Sequence, residues 1–537
     1  MHFEPSNKGL DPSNTNWLNI LPLLEDKHIF QVGFNNNSEA FLKCGCASLT
    51  CLKDEPTGRD STKTIKYIKD INEIGNELID ICIVDDLKKI EACKTLEFLN
   101  SMSRIMHGKG VVIIGFPNGF RHGKFKLTAE RAIRIAGFKK TEWYLCEPSF
   151  DDPLAVYPYY QESIPTRKGM KYAMLKRIDS PNLLKRLIKS AFASITIRLN
   201  PFWGTLLVAY KDDKADPSGT IGVIRKIVPE HQLKDIAIIW NSKHYTGKQV
   251  GQVYHFCKGK KDLIAICKVS NYPFHRSATI RQEYEVLSLL SEHSDFFEKN
   301  KISIPEPLLF ENRGWWCSSL ETPVKGDFLL DKKCDSPSLM KHLEDFIRIQ
   351  SLIQKYLTEH LSDKLPLLDP RYFVNSNNFT WDHFNDSRRV KQYQYIVQHG
   401  DYTDVNLSYD HKNKSWGIID WEWTGSGFPP LFDIFHLILS LKYSEGNIRN
   451  KNFLGQYFQS FIDSFFHRNR LIDFIHEKID WYCKEMTIDR KMVFNYFMDF
   501  LLYLYNKYRL DYVLPEYESM HKNMILYSLE HAKEFAV

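Results

Sequence analysis

The sequence predicts two units of different class: α/β with a doubly wound sheet over residues 1–212, and α+β, hairpins followed by helices, over 217–537. Three observations lead there. At 537 residues the chain exceeds the size at which one hydrophobic core keeps growing. Its first part alternates apolar strand-like runs with helical stretches, the pattern of a parallel sheet. Its second part changes to paired strand patterns and then to long helical ones.

In the first unit, "HIFQVGFNNNSEAFLKCGCASLTCLKD" (28–54) reads as strand, turn, short helix and strand. "TIKYIKDINEI" (64–74), "LIDICIVDDLKKI" (78–90) and "GKGVVIIGFPNGF" (108–120) add three strands. The runs "ICIV" and "VVIIGF" are apolar throughout, as strands covered on both faces are. "LTAERAIRIAGFKKTEWY" (127–144) supplies a helix and a strand, and "WGTLLVAYKD" (203–212) a closing strand. The arrangement is Rossmann-like. Residues 150–203 form an aromatic and basic insertion that reads as a lid, a substrate platform or a packing arm.

Composition narrows the function classes. The 71 basic and 66 acidic residues are interspersed and leave a net charge of only +5, so nucleic acid is not an expected partner. The longest apolar stretches are too short to span a bilayer, and the N-terminus lacks the basic and apolar regions of a signal peptide. The eleven cysteines are scattered without zinc-type pairing, and Cys44, Cys46 and Cys51 have no second ligand pair. A reducing cytoplasm is the expected location.

The second unit divides into a strand-rich part (217–328) and a helical part (329–537). "QVYHFCKGKKDLIAICKVS" (252–270) reads as a hairpin whose second strand ends at Lys268, and "TIRQEYEVLSLLSEH" (279–293) as a helix with Glu283 near its start. A strand lysine held by a helix glutamate positions phosphates in protein-kinase-like folds; the same pair also reads as an ordinary ion pair. Upstream, "HYTGKQVGQVY" offers Gly247 and Gly251 for a phosphate-covering loop, or simply for a hairpin turn. "ISIPEPLLF" (302–310) and "GWWCSSLETPVKGDFL" (314–329) read as strand, turn and interlobe linker, and "LMKHLEDFIRIQSLIQKYL" (339–357) opens the helical part.

The chemistry concentrates in "QHGDYTDVNLSYD" (398–410) and "GIIDWEW" (417–423). "NLSYD" and "WGIID" alternate like strands around the polar turn 411–415. The predicted register sets Asp410 opposite Trp416 and Asn406 opposite Asp420, so amide oxygen and carboxylate share a face. Those are oxygen ligands of the kind magnesium takes beside substrate phosphates, and Asp401 in the preceding loop is placed to receive a hydroxyl proton. Taken alone, "HGD" reads equally as a polar turn and "IIDW" as a strand end. Their joint order and spacing favour the metal site.

With these residues in view, 217–537 resembles the aminoglycoside phosphotransferase and choline kinase family, whose marks are an HGDxxxxN loop, an IDWE-like strand and a later helix Asp after Pro. Here they stand as His399-Gly400-Asp401 with Asn406, Ile419-Asp420-Trp421-Glu422, and "PPLFDIFHL" with Asp433. The resemblance implies a two-lobed protein-kinase-like fold and transfer of the terminal phosphate of ATP or GTP to a hydroxyl of a small molecule, sugar or glycan. It implies Asp401 as catalytic base, Asn406 and Asp420 as magnesium ligands, Lys268 as the phosphate-contacting lysine with Glu283 as its partner, and His399 and Asp433 as braces. The loop departs from the family in "YTDV", where Asp404 is an extra acid.

The first unit resembles class I S-adenosylmethionine-dependent methyltransferases, with "GKGVVIIGFPN" as fifth strand and "WGTLLVAYKD" as the antiparallel closing strand. Of the glycines a nucleotide-like cofactor needs after the first strand, "VGFNNNS" offers only Gly33. Asp54 and Asp70 fit ribose and adenine positions, or are strand-end polar residues. The domain is expected to serve binding or architecture more than methyl transfer. Two other readings stay open: a bifunctional methyltransferase-kinase of surface-polysaccharide assembly, and a non-catalytic nucleotide-binding scaffold.

Overall fold

The computed structural model describes residues 24, 26–33, 41–42, 46–52, 65–74, 78–84, 95–116, 122–147, 155–158, 204–214, 220–229, 232, 236–240, 248–257, 260–270, 277–313, 316–328, 336–375, 379–385, 391–445, 453–467, 470–512 and 515–535. The first unit contains β1 (His28–Val32), β2 (Ser48–Leu52), β3 (Ile65–Ile68), β4 (Ile79–Val84), β5 (Met106–Phe116), β6 (Lys140–Glu147), β7 (Ala155–Pro158) and β8 (Gly204–Tyr210). Its sheet runs β3-β2-β1-β4-β5-β8-β6, parallel from β3 to β5, with β8 antiparallel to both its neighbours.

The all-apolar run of β4 has a direct explanation. Ile81 and Ile83 enter one core and Cys82 and Val84 the other, because successive side chains leave opposite faces of a strand. Phe98, Leu99 and Met102 of helix Thr95–Ile105 cover one face, and Val223 and Ile224 of helix Thr220–Ile227 cover the other.

This sheet does not stop at β6. β7, which lies within the 150–203 insertion, pairs antiparallel with β6 and then with β9 (Ile236–Trp240), setting Val156 opposite Ile238. Beyond β9 follow β10 (Lys248–Cys257), β11 (Lys260–Ser270), β14 (Trp316–Glu321) and β13 (Pro307–Arg313), all antiparallel, so that thirteen strands form one sheet. One apolar cluster runs beneath the junction, joining Tyr144, Val208 and Tyr210 to Ile238, Val253, Cys267 and Leu320. Helix Thr220–Ile227 ties the two parts again: Arg225 pairs with Glu142 of β6 at 2.9 Å, and Lys226 pairs with Glu311 of β13. The rest of the insertion lies outside the described residues.

The helix predicted over 279–293 spans Ser277–Ser291, and the one over 339–357 extends to Ser336–Leu361. The latter packs with helices Phe432–Glu445, Phe453–Phe465, Arg470–Glu485, Val493–Lys507 and Pro515–Glu530 around an aromatic core. Phe435 meets Phe497 there at 5.3 Å between ring centroids. Two small sheets lie against this core: β12 (Ile302–Ser303), β18 (Ser415–Ile418), β17 (Leu407–Asp410) and β15 (Asp327–Phe328) in one, β16 (Val397–Gln398) and β19 (Gly425–Ser426) in the other. Among the described residues no helix is long and apolar enough to cross a membrane.

Candidate active site

The loop 399–406 follows β16 and is tied from below. Asp433, in the first turn of helix Phe432–Glu445, accepts the His399 N–H at 2.7 Å and the Gly400 N–H at 2.9 Å, and Gln350 donates to it as well. Burial pushes its carboxyl up to about 7 in spite of these donors. Gly400 has φ of +81°, and a Cβ there would lie 2.8 Å from Trp423 Cβ and nearer still to its carbonyl oxygen. The position therefore requires glycine. Across the loop, His399 Nε2 donates to the Ile419 carbonyl at 3.1 Å and Nδ1 accepts the Asp401 N–H at 3.3 Å, an assignment those two partners impose. Burial lowers its pKa to about 4, so this imidazole is neutral.

Asp401 and Asn406 face each other across the same loop. The Asn406 amide donates to the Asp401 carbonyl at 2.9 Å and to its carboxylate at 3.0 Å. The amide oxygen is then the atom of Asn406 suited to a cation. His436 Nε2 lies 3.8 Å from the other Asp401 oxygen. The Asp401 side chain keeps 27% of its surface exposed. Burial raises its pKa to about 6, against the pull of the Lys507 ammonium.

The hairpin register predicted around this pair is corrected by one residue. Tyr409 stands opposite Trp416, Asp410 opposite Ser415, and Ile419, not Asp420, donates to the Asn406 carbonyl at 3.0 Å. The reason lies in the turn: Asp410 accepts the N–H groups of Lys412 and Asn413, and Lys414 takes a positive φ, closing the loop in four residues rather than five. A one-residue slip would send a side chain to the wrong face. Asp420 recovers the site by adopting left-handed φ and ψ of 66° and 59°.

Its carboxylate meets two buried lysines. Lys248 Nζ lies 2.7 Å from Asp420 Oδ1, 2.8 Å from Glu422 and 4.0 Å from Glu283. Lys268 Nζ pairs with Glu283, lies 3.0 Å from Glu321 and reaches Asp420 Oδ1 at 3.4 Å. Glu283 also accepts the Trp421 N–H at 3.0 Å, while its Oε2 has no hydrogen-bond partner. Burial works against every charge here. At Asp420 the two ammonium groups overcome it and hold the carboxyl well below the usual range; at Lys248 the carboxylates overcome it and hold the ammonium protonated. At Glu283 burial raises the carboxyl's pKa, against the pull of Lys268 and Lys248.

Lys268 and Glu283 thus meet as expected, and Asp401, Asn406 and Asp420 lie around one strip of chain. Lys248 and Glu321 were not picked out from the sequence, and Glu422 was named there only as part of the motif, without a role. Gly251 is not in a phosphate-covering loop: it sits inside β10, paired with Trp240 on one side and Cys267 on the other, because the strand begins four residues earlier than the hairpin pattern indicated. Likewise β11 continues past Lys268 to Ser270. Gly247 and Asp54 lie outside the described residues. Gly33 follows β1 with φ of +101°, and Asp70 caps a short turn by accepting the Asn72 N–H at 2.9 Å. Asp404 is buried, its N–H donating to Ser440 at 3.2 Å.

The donor set suits a hard dication. Glu283, Asp420 and Glu422 each present an oxygen within 4.8 Å of the others, and a cationic nitrogen already sits among them.

No protein-family model matches the chain, and no curated protein matches it. Among solved structures, the chain is similar to an aminoglycoside phosphotransferase from Streptomyces rimosus at 15% identity, over 49% of this chain and 92% of that one, with a TM-score of 0.33. It is similar to a phosphoethanolamine N-methyltransferase of Haemonchus contortus at 13% identity, over 37% and 52%, with a TM-score of 0.24. WbdD, crystallised with a kinase inhibitor, matches over 84% of both chains at 9% identity and a TM-score of 0.24.

Proposed function

We propose that residues 217–537 transfer the terminal phosphate of ATP or GTP to a hydroxyl of a small molecule, sugar or glycan. The observation that carries this reading is the meeting of Asp401 and Asn406 on one loop with Asp420 and the Lys268–Glu283 pair beside it. Asp401 is the group that accepts the acceptor's proton. It is partly exposed, and its elevated pKa lies near neutral pH, where a general base works best. Lys268 is the cation that faces the phosphates, and Glu283 and Glu321 hold it in place. Asn406 and Asp420, with Glu422 adjacent, are the residues that would hold magnesium. When bound, that ion supplies neutralisation of the triphosphate charge. His399 and Asp433 fix the loop's backbone and take no part in proton transfer.

A screen of sugars, aminoglycosides, amino alcohols and glycan fragments for magnesium-dependent nucleotide consumption tests the proposal. Consumption with at least one acceptor, lost in Asp401→Asn, is expected. A chain that consumes no nucleotide with any of them, or an Asp401→Asn variant that remains as fast, overturns it.

The first unit supports a second reading. Its strand order, with β8 inserted antiparallel between β5 and β6, agrees with the methyltransferase-like resemblance, and the left-handed Gly33 at the carboxyl end of β1 suits close approach of S-adenosylmethionine. Calorimetric binding of that molecule, lost in Gly33→Arg, is the expected result; no detectable heat ends this reading.

A further inference from the structure

Lys248 has no role in the scheme just given, yet it occupies the centre of the site. It comes from the first residue of β10, and its position follows from the register. Val250 stands opposite Lys268, so Lys248, two residues away on the same strand, projects from the same face as Lys268. Two ammonium groups are thereby directed at one set of carboxylates. The division of contacts between them is uneven. Lys268 is anchored from the protein side by Glu283 and Glu321 and reaches Asp420 Oδ1 only at 3.4 Å, whereas the two nearest partners of Lys248 are Asp420 at 2.7 Å and Glu422 at 2.8 Å. Those are two of the three carboxylates whose oxygens gather closely enough for a metal ion. The third, Glu283, keeps a buried Oε2 without a hydrogen bond, 4.0 Å from the same nitrogen.

We propose that Lys248 is a built-in counter-ion for the metal-binding carboxylates: it shuts out free divalent ions and yields its place only when a metal arrives with a triphosphate. The inference rests on the phosphotransferase reading, in which Asp420 is a metal ligand. A dication on Asp420 and an ammonium hydrogen-bonded to the same oxygen repel one another at contact range, so they exclude each other while nothing else is bound. A nucleotide changes the balance because its phosphate oxygens offer the displaced ammonium a new anionic partner within the reach of a four-carbon side chain. Metal and nucleotide therefore enter together, and metal alone is refused.

Manganese is the probe, counted by the electron paramagnetic resonance signal of the free ion, with the full chain and with or without a non-hydrolysable ATP analogue. The wild-type protein is expected to bind manganese with the analogue and at least tenfold more weakly without it. Lys248→Met is expected to bind manganese without the analogue, and its melting temperature to rise on adding the ion alone, as that of the wild type does not. Lys248→Arg, which keeps the charge, is expected to refuse the free ion. If Lys248→Met does not fold, Lys248→Gln takes its place, and the wild-type comparison stands by itself. Wild-type protein that binds free manganese as tightly as it does with the analogue overturns the counter-ion role and leaves the phosphotransferase reading intact. So does a folded Lys248→Met that still refuses the free ion. Failure of wild-type protein to bind manganese even with the analogue overturns both.

Discussion

Asn406 donates its amide to Asp401 twice, to the main-chain oxygen at 2.9 Å and to the carboxylate at 3.0 Å. The carboxylate proposed as base is thus held by the residue proposed to offer its amide oxygen to magnesium. Asn406→Asp replaces a donor with a like charge, which disfavours the ionised form of Asp401. Its acid limb in a pH–rate profile moves up by about one unit or more, and kcat at neutral pH falls.

With Asp401 as the proposed base, the pH dependence of activity is expected to follow from this one carboxyl. Its pKa is raised to about 6, and the base works only when ionised, so kcat falls as pH drops through about 6. Lys507, whose Nζ lies 3.8 Å from the Trp423 ring centroid, favours the ionised form. Lys507→Met therefore shifts the acid limb to higher pH. A profile that stays in place shows that another group sets the limb.

Stability carries the opposite sign for these acids. The folded-state pKa of Asp433, about 7, lies above the usual carboxylate value, so the folded protein binds this proton more tightly than the unfolded chain. Its contribution is fully present in acid, below the unfolded value, and is lost as pH rises through about 7. Asp433→Ala removes the acceptor of two loop N–H groups, which costs about 1–3 kcal/mol for each group left buried and unpaired. Urea denaturation measures both effects.

Gly400→Ala tests the loop from the other side. A Cβ at φ of +81° is strained and meets the Trp423 main chain. A loss of about 1–3 kcal/mol is expected, with nucleotide consumption reduced further than the small loss of folded protein explains. Unchanged stability would mean that the loop has another conformation.

Lys268→Met leaves Glu283, Glu321 and Asp420 around an apolar group. Breaking a buried ion pair in this way costs about 3–5 kcal/mol. Both the melting temperature and nucleotide affinity should fall, the latter measured by calorimetry.

The elements that local pattern could reveal were legible: the strands β1 to β5, the helix carrying Glu283 and the order His-Gly-Asp, Asn, Asp. Each has its signal within a few consecutive residues. The hairpin register failed by one because Asp410 captures the N–H groups of Lys412 and Asn413, a side-chain choice that tightens the turn. Asp420 compensates with a left-handed backbone that no hydrophobic pattern records. Lys248 was passed over since its segment reads, through its two glycines, as a phosphate-covering loop or a hairpin turn; only its pairing across β11 and its contacts with residues more than 170 positions later give it meaning. β7 was missed for a similar reason, because its partners come from both units.

That short strand has a mechanical consequence. Since Ala155 and Val156 join β6 to β9 by strand pairing, the lysine-bearing strands β10 and β11 belong to the same sheet as the N-terminal unit. On the phosphotransferase reading, closing on a nucleotide is then expected to move the helical part against this sheet rather than to move β10 and β11 against the N-terminal strands. Paired fluorophores on β2 and β13 should keep their separation through such a cycle.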